Sequence, residues 1–488
     1  MISFSVTKIA IYGDKMSSIL ETGNNKTKCQ KFTPDTLVQT MLDLANYRTD
    51  LMGKTVLENS FGTGQILKAI VVRYIESALR IGCAKEKISK GLSKDIYGLE
   101  LDKNLFNNCI SELNAVVQKY GLPKVEWQLY NGDALSANLN TEFDFVIGNP
   151  PYISYKELDT ENRETLREKY ASCTTGKFDY CYAFIESGIK SLGECGILVQ
   201  LIPNNIYKNV FGKKLRNMMR DHISVIYDYP DQKLFGKTLT SVSIFVYDKK
   251  NSTDKIVYKN VTHNHEKQLL RSQLGDKWVF SDALDGSGKL LRFGDFFHAS
   301  ISIATLFNQA YLVDEKCVRE NDLENEILKK AVSPKTLRAN KELQIIFPYR
   351  YDNGNCVRYH EQEFKELFPN VVKHLQKHAT NLDKRNSDKN AAWFEYGRSQ
   401  ALSHINQEKL LISTIVTNEV EVYHIDAETI PYSGIFITTI NNGRNLNDAI
   451  TILKSARFME YIRSIGISVS GKSLRITCKD INDYLFLE

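Results

Sequence analysis

The chain has 488 residues, 42% of them apolar and 25% charged, enough for two or three domains and too apolar to stay disordered. A formal charge of +5 permits an anionic partner without demanding one. Nine scattered cysteines with no CxxC pair read as reduced thiols and argue against a zinc site or a disulfide frame; no apolar run has the length of a membrane span or the look of a secretory leader, so a cytoplasmic protein is expected.

Residues 1–30 show little periodicity. A helix reads from Pro34, with Thr33 as its cap and Leu37, Val38, Met41, Leu42 and Ala45 on one apolar face. Seven strand candidates follow: Thr55–Glu58, Ile96–Leu101, Glu126–Tyr130, Phe143–Gly148, Gly196–Ile202, Ser224–Tyr229 and Ser241–Tyr247. Strands alternating with helical segments predict a largely parallel, Rossmann-like α/β sheet, its last two strands forming an antiparallel edge pair. Beyond about residue 285 the apolar runs shorten. The spacing predicts a catalytic domain over 1–285 and a mixed α+β domain over 286–488. Within the latter, residues 371–398 interleave Lys373, Lys377, Lys384, Arg385, Lys389 and Arg398 with Trp393, Phe394 and Tyr396. For any single residue there, a solvated basic face over buried aromatics is the simpler reading.

The first strand runs through Glu58 into Asn59-Ser60-Phe61-Gly62-Thr63-Gly64, and a helix follows from Gln65. Gly62 and Gly64 allow a sharp turn and close approach of a ligand. The second strand ends in Glu100, placed to accept hydrogen bonds from ribose hydroxyls, and the third leads to Asp133, placed near an adenine ring. Dinucleotide binding wants a third glycine and a pyrophosphate on the helix. Three acids and no third glycine suit a nucleoside without phosphates, and S-adenosylmethionine has the hydroxyls, amine and ammonium that carboxylates serve.

The fourth strand runs directly into Asn149-Pro150-Pro151-Tyr152. Two prolines end the ladder and stiffen the loop. The Asn149 side-chain oxygen and the Pro150 carbonyl can then accept the two hydrogens of an aromatic amine, localising its lone pair, while Tyr152 stacks on the ring. Positioning and fixed acceptors do the work, without a metal or a strong base.

These residues resemble the amino-methyltransferases of DNA restriction–modification systems, above all the adenine-specific group with a C-terminal target recognition domain. Thr33-Pro34 resembles that family's N-terminal cofactor motif, Glu58 to Gly64 its first cofactor motif, and Asn149 to Tyr152 is identical to its catalytic motif. Lys177 to Tyr180 and Gly196 to Asn205 are similar to the segments that follow. The resemblance implies S-adenosylmethionine bound by Thr33, Glu58, Ser60, Gly62, Gly64, Glu100, Asp133 and Asn149. It implies an adenine flipped out of double-stranded DNA and held between Tyr152 and Phe235. It also implies a cognate restriction endonuclease as a possible partner. The long Glu58–Glu100 spacing predicts an inserted helix. The rival readings are a methyltransferase for RNA or a protein glutamine, and a silent DNA-binding module.

Overall fold

Apolar runs bounded by turn residues become strands throughout the first half of the chain. A computed structural model describes residues 33–232, 234, 240–280, 289–440, 443–470 and 473–488. The chain divides into two units, Met1–Phe280 and Ser281–Glu488.

In the first unit all seven expected strands form: β1 Val56–Glu58, β2 Ile96–Glu100, β3 Gln128–Asn131, β4 Phe143–Gly148, β5 Leu192–Pro203, β6 Ile223–Gln232 and β7 Thr240–Asp248. Two more, β8 Lys255–Asn260 and β9 His265–Leu270, complete a nine-stranded sheet in the order β3-β2-β1-β4-β5-β7-β6-β8-β9. Strands β1 to β5 run parallel, and β7 enters antiparallel between β5 and β6. The β6–β7 pair is therefore antiparallel as expected but does not form the edge, because β8 pairs with β6 and β9 with β8.

The helices on one face are α1 Asp35–Leu44, α2 Gln65–Arg80, α3 Lys85–Asp95 and α4 Lys103–Lys119. Leu37, Met41, Ile70, Leu92 and Leu113 pack there against Val56, Ile147 and Val199 of the sheet. Helix α3 is the insertion that the Glu58–Glu100 spacing demands, and the Tyr74 hydroxyl donates to its Asp95 at 2.5 Å. The other face is covered by α5 Thr160–Lys169, α6 Cys181–Ser191 and α7 Lys213–Arg220, with Tyr182, Ile185, Leu215 and Met219 against Val146, Leu198 and Phe245. Strand order reverses between β1 and β4, so a crevice opens at their carboxyl ends.

The expected cap on α1 does not form. Pro34 occupies the cap position with no side-chain hydrogen bond, since the Thr33 hydroxyl is engaged elsewhere.

The second unit builds its core on an antiparallel sheet of Phe297–Ile301, Ile435–Thr439, Lys409–Ile412 and Val422–Ile425, beside a second four-stranded sheet. Its basic, aromatic segment is partly structural. Phe394 and Tyr396 are buried, and the Phe394 ring stacks on Phe364 at 4.0 Å. Arg385 donates to the Thr305, Trp393 and Glu395 carbonyls and to the Tyr311 hydroxyl, and Arg398 pairs with Asp388. Lys373, Lys377, Lys384 and Lys389 are exposed.

Candidate active site

Ten of the residues singled out in the sequence line one cleft: Thr33, Glu58, Ser60, Gly62, Glu100, Asp133 and the whole of Asn149 to Tyr152. The cleft is open to solvent and holds a cavity of about 170 Å³. Gly64 stands behind it as the left-handed residue that opens α2, with φ of 79°. A Cβ there would lie 2.3 Å from Cys109 Sγ, so the turn can sit on α4 only as glycine. Phe235 lies outside the described residues.

The glycine turn is laced to its neighbours. The Phe61 amide donates to the Leu99 carbonyl, and the Gly62 amide to Glu100 Oε2 at 2.8 Å. The other oxygen of Glu100 accepts from the Asp102 amide at 2.9 Å. Two backbone donors thus fix the carboxylate across the mouth of the turn, each oxygen keeping a second lone pair for a hydroxyl. Burial pushes the Glu100 carboxyl up, and these two amides oppose it.

Glu58 is more extreme. It is 2% exposed, and its Oε2 is buried without a hydrogen-bond partner. Burial, then the charge of Glu100, hold its carboxyl well above the usual range, while the Leu67 amide in the first turn of α2 pulls the other way. A buried carboxylate with an unmet acceptor is costly unless something cationic or protic meets it.

Asp133 closes the third side. Its Oδ1 accepts from the Leu135 amide at 3.0 Å and its Oδ2 from the Ser136 hydroxyl at 2.6 Å, which shapes the loop after β3. Asn131 and Gly132 tie that loop to the end of β2 through the Glu100 and Leu101 carbonyls.

The loop after β4 has the most specific geometry. The Asn149 amide nitrogen donates to Thr33 Oγ1 at 3.0 Å, across 116 positions of sequence. That bond orients the amide and leaves Oδ1 buried with no partner. The Ser60 hydroxyl donates to the Asn149 carbonyl at 3.4 Å, joining this loop to the glycine turn. The Tyr152 hydroxyl donates to the Leu201 carbonyl of β5 at 3.0 Å, and burial pushes its pKa up, so the phenol stays a donor and the ring stays put. Directly behind it, the Tyr180 amide donates to the Ile153 carbonyl at 2.9 Å. One unpartnered acceptor, Asn149 Oδ1, and the Pro150 and Tyr152 residues thus line a pocket with three carboxylates. Among the described residues no group of three or more His, Cys, Asp and Glu could hold a metal ion.

Sequence reasoning missed Phe184 and named Tyr180 only within the Lys177–Tyr180 segment, with no role in the site; both line the cleft. Their spacing of four on a helical segment is the signal that could have placed them on one face. It also passed over Asn59, whose buried amide has no partner at either atom.

Residues 5–235 match the family described as Eco57I restriction-modification methylase. The chain is 26% identical over 502 residues to the Type II methyltransferase M.BstVI of Geobacillus stearothermophilus, covering 91% of this chain and 87% of that one. It is 31% identical over 214 residues to M.PaeR7I of Pseudomonas aeruginosa, and 26% identical over 386 residues to the Type II restriction enzyme and methyltransferase RM.Eco57I of Escherichia coli. It spans only 37% and 38% of those two proteins. In fold it is similar to the Type IIL restriction-modification enzyme MmeI, solved with DNA, at a TM-score of 0.57 and 13% identity, covering 91% of this chain and 63% of MmeI.

Proposed function

We propose, from the match of residues 5–235 to the Eco57I restriction-modification methylase family, that this protein transfers a methyl group from S-adenosylmethionine to the N6 amine of an adenine flipped out of double-stranded DNA. The observation that carries the reading is the Asn149 amide, tied by its nitrogen to Thr33 so that an unpartnered oxygen remains beside the cleft. That oxygen and the Pro150 carbonyl are the two acceptors an aromatic amine needs to gather its lone pair on nitrogen.

S-adenosylmethionine supplies an electrophilic methyl group on a sulfonium when bound, and the residues present fit it. The unmet oxygen of Glu58 and the amides that open α2 suit its methionine end, Glu100 its ribose hydroxyls, and the Asp133 loop its adenine. Tyr152, held by Leu201, offers a ring face to the target base, and Phe235 would supply the opposite face. The unit from Ser281 to Glu488 would read the flanking sequence, and a cognate restriction endonuclease would cut the unmodified site. Among the described residues no helix is long and apolar enough to cross a membrane, and the proposed substrate places the protein in the cytoplasm.

The test is to incubate the protein with tritiated S-adenosylmethionine and mixed-sequence duplex DNA and to digest the product to nucleosides. Label in N6-methyldeoxyadenosine is expected, and Asn149→Ala should reduce it by about 10²–10³-fold while largely keeping the fold. Label on cytosine, on RNA or on protein glutamine, or cofactor binding with no transfer to DNA, would overturn the reading.

A further inference from the structure

The loop after β5 leaves the same edge of the sheet as the Asn149 loop, from the neighbouring parallel strand. It carries two apolar side chains into solvent: Val210 is 56% exposed and Phe211 39%. This presentation is built. Arg216 of α7, 1% exposed, donates to the Ile206 and Asn209 carbonyls of the loop and to the Asp276 carbonyl. A Cβ on Gly212 would lie 2.7 Å from Arg216 Nη1, so glycine is what admits the guanidinium. Asn209 Oδ1 accepts from the Phe211 amide and fixes the turn. A buried arginine confers little stability that packed apolar residues could not, so it is better explained by the shape it imposes.

Phe211 is also seated. Its ring lies on Gly176, where φ is 69° and a Cβ would come within 1.9 Å of the ring. Gly176 lies four residues before Tyr180, a wall of the cleft, so the knob and the cleft share one short segment. Lys177 follows Gly176 in the chain and Lys213 and Lys214 follow the knob; all three are exposed, with Lys213 paired to Asp276 and Lys214 donating to the Thr174 hydroxyl, and the Gly176 carbonyl accepts from Arg167 at 2.8 Å. An apolar knob with exposed lysines next to it in the chain suits a polyanion with an apolar interior, which is the description of a base stack between phosphate strands.

We propose that Val210 and Phe211 form a wedge that enters the DNA base stack beside the extruded adenine and holds the gap open; this rests on the function proposed above. Filling the gap offsets the unstacking that flipping requires. The wedge lies on a different loop from the groups that would hold the flipped base, so opening the duplex and methylating the base are separable by mutation.

The test compares affinity for a mixed-sequence duplex with affinity for the same duplex carrying one abasic site, where the stack is already open. Methyl incorporation into the intact duplex is measured in parallel. Wild-type protein is expected to prefer the abasic duplex by about tenfold, and Phe211→Ala to bring that ratio close to one. Phe211→Leu should keep most of the preference. Val210→Ser, a change at a mostly exposed position, should reduce it without loss of fold. Equal ratios for wild type and Phe211→Ala would overturn the wedge, whether or not methylation proceeds. Loss of the ratio on Phe211→Ala together with no methylation of DNA by wild-type protein would overturn the proposed activity, and with it the extruded adenine, and keep only the insertion of Phe211 into an opened stack.

Discussion

At the scale of single residues, the site turns on which atom of each polar group is left over. Thr33 takes the nitrogen end of the Asn149 amide and leaves the oxygen. Thr33→Val, nearly the same in shape, is expected to free the amide to rotate and lower kcat by about tenfold with little change in KM, the loss that one net hydrogen bond accounts for. A KM effect of the same size with kcat intact would assign Thr33 to binding instead. Glu58 makes a second prediction. Its folded pKa is raised, so between the ordinary carboxylate range and that raised value the folded protein holds a proton that the unfolded chain has lost. Stability without cofactor should therefore fall as pH rises through this window. Glu58→Gln should remove that dependence and raise the neutral-pH Tm of the free protein, yet weaken cofactor binding by about tenfold or more, as expected for a hydrogen bond to a charged group. Thermal melts across pH with and without cofactor read both effects; a free protein whose Tm falls on substitution would contradict the sign.

At the scale of elements, the turn between β1 and α2 is constrained from two sides. Gly64→Ala meets both a positive φ and the Cys109 thiol. It should destabilise by about 2–4 kcal/mol, the sum of left-handed strain and overpacking. Cys109→Ala in the same chain should recover part of that loss in denaturant melts, since the sulfur at 2.3 Å is gone while the backbone strain stays. No recovery would mean the strain alone sets the cost. Much of this level was legible in the sequence. The seven apolar runs, the glycine turn and the helix inserted before β2 all read directly, because their signals are local. The hairpin of β8 and β9 did not, because His265-Glu266-Lys267-Gln268 carries no apolar alternation. Of the two readings of Thr33, the cap failed for the opposite reason. A hydroxyl ahead of a helix looks like a cap, and only the folded chain brings it to Asn149. Phe394 and Tyr396 are buried as the simpler reading of their stretch has it, whereas Arg385, which reads as part of the solvated basic face, donates to carbonyls inside the fold.

At the scale of the molecule, each unit has an apolar core of its own, and the cleft belongs entirely to the first. Saturating cofactor at a hundred times its Kd should stabilise Met1–Phe280 by about 2.7 kcal/mol. Hydrogen exchange should show the gain at the Gly62, Asp102 and Gly132 amides, which join the strand ends around the cleft. Protection appearing only in residues 289–488 would place the cofactor elsewhere.

Among the described residues the nine-stranded sheet ends in β9, and an edge strand is in general a template on which another chain could extend a sheet. Glu266 and Lys267 stand on successive, opposite faces of that strand, so a strand arriving from either side of the pleat would have to bury a charge. The polarity that hid this hairpin from sequence reading is therefore what should keep concentrated protein from growing into fibrils along its sheet edge.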